Sequence, residues 1–149
     1  MRALTTRELD RILKNNPVTK NIFLGTYPSC MSPKTSKKKY TFITNTVNHE
    51  LGGVHWCAWF VDGNTMHFFD SFGRHPNDVT FSYGEIFKGF KLKYNKKQVQ
   101  DFSSSTCGHY CIQFLYIFSL GLDLDSMLND YSSNFKENDI LVYDFVRKI

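Results

Sequence analysis

Two side chains in this sequence stand where they could do covalent chemistry together. Cys107 closes a polar, structure-poor run over residues 98–106, and an apolar segment starts at once over residues 110–120, with only Gln113 and Ser119 polar and Gly121 closing it. That pattern predicts a buried helix with Cys107 in its first turn. Unpaired N–H groups and the helix macrodipole favour negative charge there, so a thiol at that place ionises more readily than a free one. The competing reading is a small buried cysteine that only packs.

A matching base lies upstream. His55 heads the strand-like run of residues 55–61, Asp62-Gly63-Asn64 supplies a turn, and Thr65-Met66-His67-Phe68-Phe69-Asp70 returns. Antiparallel pairing of such a hairpin sets its two open ends, His55 and Asp70, side by side. An acid beside a histidine fixes its tautomer and stabilises the imidazolium. Cys107, His55 and Asp70 are therefore a candidate nucleophile, base and orienting acid.

The elements around them read as follows. Thr5 and Glu8 have capping-box spacing at the start of a helix with an apolar stripe of Leu9, Ile12 and Leu13, ended by Asn15-Asn16-Pro17. Strands are expected over residues 22–27, 40–47 and 90–94. A helical turn is expected over 82–87 and a last short strand over 98–100, carrying Gln100 toward the cysteine. Helices are expected over 123–128 and 139–146, the latter capped by Asn138 or Asp139. A small mixed or antiparallel sheet beside several helices is an α+β layering. With 149 residues and 42% hydrophobic composition, one domain spanning 1–149 is long enough for a core. No run reaches the ~20 apolar residues of a membrane span, and residues 1–6 lack the apolar centre of a signal peptide. Four cysteines in a core-rich chain of net charge +4 point to free thiols and a reducing compartment.

Other residues carry open alternatives. Trp56 either walls a narrow cleft or belongs to the core. Cys111 and Cys57 read as packing residues. His55, Cys57, Cys107, His109 and Cys111 supply enough donors for zinc, but Cys107, His109 and Cys111 point to different sides of a helix and no Cys-x-x-Cys knuckle exists, so no metal is expected. Lys37-Lys38-Lys39 and Lys88, Lys91, Lys93, Lys96 and Lys97 are either a solvated face or a surface for polyanions.

The ordered set Phe23-Leu24-Gly25-Thr26-Tyr27, Asn45-Thr46, Gly52-Gly53-Val54-His55-Trp56, Phe68-Phe69-Asp70-Ser71-Phe72-Gly73, and Gln100 seven residues before Cys107-Gly108 resembles the adenain-like cysteine proteases, the maturation proteases of adenoviruses and related elements. The resemblance implies a papain-like, circularly permuted core with the nucleophile at a helix N-terminus. It implies Cys107 as nucleophile, His55 as base, Asp70 as orienting acid and Gln100 as oxyanion donor, with Gly53, Trp56 and Gly108 as substrate-binding positions. Gln98, nine residues before Cys107, is the competing glutamine. Asp70 departs from the Glu of the best-known relatives and is one methylene shorter.

The resemblance further implies cleavage of viral precursor proteins after glycine, in Gly-x-Gly or Gly-Gly contexts, within the host cell (nucleus or cytoplasm) and the virion. It implies DNA and an activating peptide as cofactors, and a monomer. No cysteine lies between Asp70 and Cys107 to tether such a peptide by a disulfide, and the chain stops soon after Gly121, at Ile149. The alternatives are an isopeptidase for ubiquitin-like modifiers and a non-catalytic DNA- or capsid-binding module of the same fold.

Overall fold

The computed structural model describes residues 1–29, 31–46, 55–79 and 87–149. In chain order the elements are α1 (Thr6–Asn15), β1 (Phe23–Tyr27), β2 (Lys39–Asn45), β3 (Trp56–Asp62), β4 (Thr65–Phe69), α2 (Pro76–Val79), β5 (Lys91–Tyr94), α3 (Cys107–Ser119), α4 (Leu124–Leu128) and α5 (Phe135–Lys148). The strands form one five-stranded sheet in sequence order, mixed in direction: β1–β2 and β4–β5 are parallel, and β2–β3 and β3–β4 antiparallel. The fold is α+β. The expected helical turn over 82–87 and the position Gly53 lie outside the described residues, Phe87 apart.

Central position explains the composition of β3. Its Trp-Cys-Ala-Trp-Phe-Val run is buried at every residue because both sheet faces are covered. On one face Trp56, Ala58 and Phe60 join Phe69 and Ile43 under α3, with Leu9 and Leu13 of α1 and Val142 of α5. On the other, Cys57, Trp59 and Val61 pack with Phe42, Met66, Phe68, Val79 and Phe87. Helix α3 is apolar nearly all round and is accordingly the buried helix against the sheet. At its far end Gly121 adopts φ +88°, where the chain leaves the helix.

The capping box of α1 forms as the sequence suggests: the Thr5 hydroxyl accepts from the Glu8 N–H, and Glu8 accepts from the Thr5 N–H. Arg2 pairs with Glu8 through two contacts of 2.7 Å and draws the N-terminal residues against the helix. Two expectations need correction. The final helix begins at Phe135, capped by Asn134, so Asn138 and Asp139 lie inside it and are buried. Residues 98–100 form no strand. The Val99 and Gln100 N–H groups both donate to the Ser71 carbonyl, at 2.9 and 3.2 Å, so the segment is held by a loop and not by a strand edge.

Gly73 fits the loop after β4 against that segment. Its φ is +76°, and a Cβ there would stand 2.8 Å from the Lys97 carbonyl carbon and 2.9 Å from the Gln98 nitrogen. Gly73→Ala is expected to cost at least about 2 kcal/mol, combining left-handed backbone strain with a clash against main chain that cannot yield. Urea denaturation of the two proteins checks this; equal midpoints would contradict it.

Candidate active site

The hairpin β3–β4 carries the base and the acid. Pairing runs from Asp62↔Thr65 at the turn to Ala58↔Phe69, so the residues just beyond, His55 before β3 and Asp70 after β4, emerge at the same end of the sheet. His55 is 4% exposed and Asp70 has no exposed surface. The His55 Nε2 and Asp70 Oδ1 atoms are 2.6 Å apart. Since a carboxylate occupies Nε2, Nδ1 is the nitrogen left for Cys107, which sits at the first position of α3 near enough to raise the pKa of the ring.

Asp70 is held from all sides. Its Oδ1 also accepts from the Phe72 N–H at 3.2 Å, and its Oδ2 accepts from the Arg74 N–H at 3.1 Å and the Arg74 Nε at 2.7 Å. Asn95 reads its main chain in both directions, accepting from the Asp70 N–H and donating to the Asp70 carbonyl. The Phe72 ring stacks on His55 with centroids 4.6 Å apart, and the Arg74 guanidinium lies over the Phe72 ring at 5.3 Å. Ser71 and Phe72 lie in the Phe68–Gly73 run that carries the resemblance but were given no role there, and Arg74 and Asn95 carry no motif that singles them out; for Arg74 the four-residue step from Asp70 across a glycine turn was the one available signal.

Burial pulls the His55 pKa down, but hydrogen bonds to Asp70 and Cys107 overcome it and push the pKa up to about 9. Burial likewise opposes ionisation of Asp70, yet His55 and Arg74 hold its carboxyl below the usual range. Both directions favour an imidazolium against a carboxylate at neutral pH.

Cys107 opens onto a cleft of about 620 Å³. His55, Trp56, Phe72 and Asn45 form one side, Gln100 and residues 102–105 another, and residues 3–6 close the rim. Trp56 is buried, and its indole N–H donates to the Leu4 carbonyl at 3.2 Å, so it is both core and cleft wall. Gln100 is buried in the cleft, accepting from the Ser71 hydroxyl at 2.5 Å and donating to the Ser104 carbonyl and hydroxyl at 3.1 and 3.0 Å. Gln98 is outside the cleft lining and donates to the Gln100 carbonyl. Gly108 does not itself line the cleft but packs behind it; a Cβ there would press on Leu9, Leu4 and Trp56 at 3.2–3.3 Å.

Among the described residues, Cys57, Cys107 and Cys111 are free thiols. Donor atoms of His55, Cys57 and Asp70 lie within 4.8 Å of one another. Both Asp70 oxygens are already committed to His55 and Arg74, and burial pushes the Cys57 thiol well up, so it stays protonated. That donor set does not fit a metal. No helix among the described residues is long and apolar enough to cross a membrane.

A thiol at a helix N-terminus, paired with an imidazole that a buried carboxylate orients, is the equipment of a cysteine hydrolase. Comparison with known proteins agrees. Residues 21–123 match the adenovirus endoprotease family. The protease of Bovine adenovirus 4 is 32% identical over 177 aligned positions, covering 97% of this chain and 87% of that one. The protease of Bovine adenovirus 2 is 31% identical over 64% of this chain and 54% of its own length, and that of Equine adenovirus B serotype 2 is 42% identical over 57% and 43%. The chain thus spans about half the length of several relatives it matches. The solved structure of ChlaDub1 from Chlamydia trachomatis superposes with a TM-score of 0.54 and 19% identity, covering 94% of this chain and 71% of that one, a likeness of fold. The chain belongs to the adenovirus endoprotease family, whose members are cysteine proteases.

The pKa directions fix how stability follows pH. The contribution of the His55 proton is complete below the ordinary value of 6.5 and is lost as pH rises through about 9. That of Asp70 is complete above 3.8 and is lost as pH falls through its lower folded value. In NMR titration the His55 ring should change charge near pH 9, and Asp70→Asn should bring that midpoint down. A midpoint near 6.5 in both proteins would contradict the pairing.

Proposed function

We propose that the protein is a cysteine endopeptidase that cleaves viral precursor proteins after glycine during virion maturation, acting in the infected cell and the virion. One observation carries this reading: Cys107 and a His55 ring gripped by Asp70 through Nε2 line one cleft together with Gln100.

The steps follow from these groups. His55 Nδ1 takes the Cys107 proton, and the thiolate attacks the scissile carbonyl carbon. Negative charge on the carbonyl oxygen is met by the Cys107 N–H, at the open end of α3, and by the Gln100 amide. The two Ser104 acceptors of that amide belong to one residue and can share one N–H, leaving the second for the oxyanion. As the C–N bond breaks, His55 gives its proton to the departing amine, and a thioester remains. Water then attacks the thioester, His55 takes its proton, and release of the acid restores the thiolate–imidazolium pair. Asp70 holds the ring and its tautomer throughout. Trp56, fixed through its indole N–H to the Leu4 carbonyl, walls the cleft that Cys107 opens onto, a placement that supports a small residue at the cleaved position.

The lysines support polyanion binding away from the cleft. The Gly63 N–H donates to the Lys38 carbonyl and the Lys91 N–H to the Asn64 carbonyl, so the Lys37–Lys39 run and Lys91 meet at the turn end of the β3–β4 hairpin. Lys37, Lys38, Lys39 and Lys91 are exposed there, and Lys93 further along β5; Lys96 and Lys97 are also exposed, but beyond the far end of β5, beside Gly73 and Asn95. DNA held there through phosphates would be bound without regard to sequence and lost steeply with salt.

Fluorogenic peptides ending in Gly-Gly and Leu-x-Gly-Gly test the reading. Wild type should turn them over, Cys107→Ala should not, and Gln100→Ala should lose about 10²–10³ in kcat. A wild type silent toward every peptide, with and without duplex DNA, while still binding DNA, would favour a binding module instead.

A further inference from the structure

The mechanism leaves one buried carboxyl without a task. Asp139, inside α5, is 1% exposed. A carboxylate withdrawn from water is costly unless hydrogen bonds replace its hydration. The two donors Asp139 receives both belong to the segment of the nucleophile: the Tyr110 hydroxyl at 2.7 Å and the Thr106 hydroxyl at 3.1 Å. Thr106 is the N-cap residue of α3. A threonine there ordinarily turns its oxygen inward to accept from a first-turn N–H, but this one makes no such bond. Its hydroxyl is committed to α5 instead, which leaves the first-turn N–H groups uncapped by it.

The proton count then runs in one direction. A carboxylate oxygen only accepts, and Thr106 has one hydroxyl hydrogen, which it gives to Asp139. The 3.0 Å contact between the Ser104 and Thr106 hydroxyls is therefore donated by Ser104. Ser104, its hydrogen spent, can only accept from its next neighbour, the Gln100 Nε2 at 3.0 Å. The relay reads Gln100 amide to Ser104 to Thr106 to Asp139, every link pointing toward the charge. At the other end of the amide, Ser71 donates to the Gln100 Oε1. The two ends of a glutamine amide have the same shape and opposite polarity. A flipped Gln100 would aim a lone pair at the oxyanion.

We propose that Asp139 is a positioning residue: through the Thr106 and Ser104 hydroxyls, and alongside the Ser104 carbonyl that accepts from the same amide at 3.1 Å, it holds Gln100 with its N–H side available to the oxyanion. Neighbouring Asn138 braces the same segment, donating to the Val99 carbonyl at 3.0 Å. The inference rests on the protease reading of Cys107 and Gln100, and its test separates the two.

Thr106→Val removes the hydroxyl with little change of shape, Thr106→Ser keeps it, and Asp139→Asn removes the charge that sets the direction. Peptide kcat and KM are measured beside alkylation of Cys107 by iodoacetamide, a displacement that develops no carbonyl oxyanion. Thr106→Val and Asp139→Asn should lower kcat about 10- to 100-fold, part of the loss of a whole donor, with KM within about two-fold. Alkylation should hold at the wild-type rate, and Thr106→Ser should restore kcat. In a Gln100→Ala background, Thr106→Val should cost nothing further, because the group it orients is gone. Should Asp139→Asn fail to fold, the threonine pair decides alone. Undiminished kcat in Thr106→Val, alkylation falling in step with kcat, or a full additional loss in the Gln100→Ala background each overturns the inference. A wild type that neither cleaves peptide nor alkylates at Cys107 faster than the unfolded chain overturns the protease reading, and the inference with it.

Discussion

A carboxylate with no exposed surface can remain ionised only if donors replace every water it has lost, and at Asp70 four N–H groups do so. The site is arranged around meeting that demand. The turn after β4 must curl back so that the Phe72 and Arg74 amides reach the carboxylate, and the curl lays the Phe72 ring on His55. Gly73 is there because the curl brings main chain against main chain. The Ser71 carbonyl, swung outward by the same turn, takes the N–H groups of Val99 and Gln100. One buried charge thus places the imidazole directly and the glutamine at one remove.

The sheet separates its work between two ends. At the open end of the β3–β4 hairpin, strand pairing brings an imidazole and a carboxylate together and α3 delivers the thiol. At the turn end, Lys38, Lys39 and Lys91 stand in solvent. The strand between them is buried on both faces, so the two ends are joined through close-packed core. Helix α3 has two duties that pull in different directions. Its length is core, packed among apolar residues, while its first turn has no side-chain cap, as the proposed mechanism requires. A side-chain cap would have occupied one of its N–H groups. The buried acid on α5 resolves the conflict by taking the threonine hydroxyl away.

What the sequence made legible was local. The Thr5–Glu8 box, the hairpin turn at Asp62-Gly63-Asn64 and the apolar run behind Cys107 each declare themselves within a few residues, and together they place thiol, imidazole and acid. Gln100 was preferred to Gln98 by spacing, and the cleft lining includes the former and not the latter. The illegible parts were long-range and polar. Arg74 and Asn95 look like ordinary loop residues until Asp70 is seen between them. Asn138 and Asp139 were read as caps because such residues favour helix starts; their partners lie about thirty to forty positions earlier, and no periodicity reveals that. Residues 98–100 alternate like a strand, but their N–H groups go to the carbonyl of a loop.

The clamp at Ser71 has an evolutionary corollary. Because that carbonyl holds Val99 and Gln100 directly, everything between the two clamped points is a closed excursion whose ends are already fixed. Lengthening such an excursion is cheap, about 0.6 kcal/mol for each doubling when the added chain is flexible. The alignment with the Bovine adenovirus 4 protease needs 177 positions to cover 97% of a 149-residue chain, so that relative carries residues this one lacks. A fold that pins acid and glutamine to a single carbonyl can take up insertions between them while the distance between those groups stays constant.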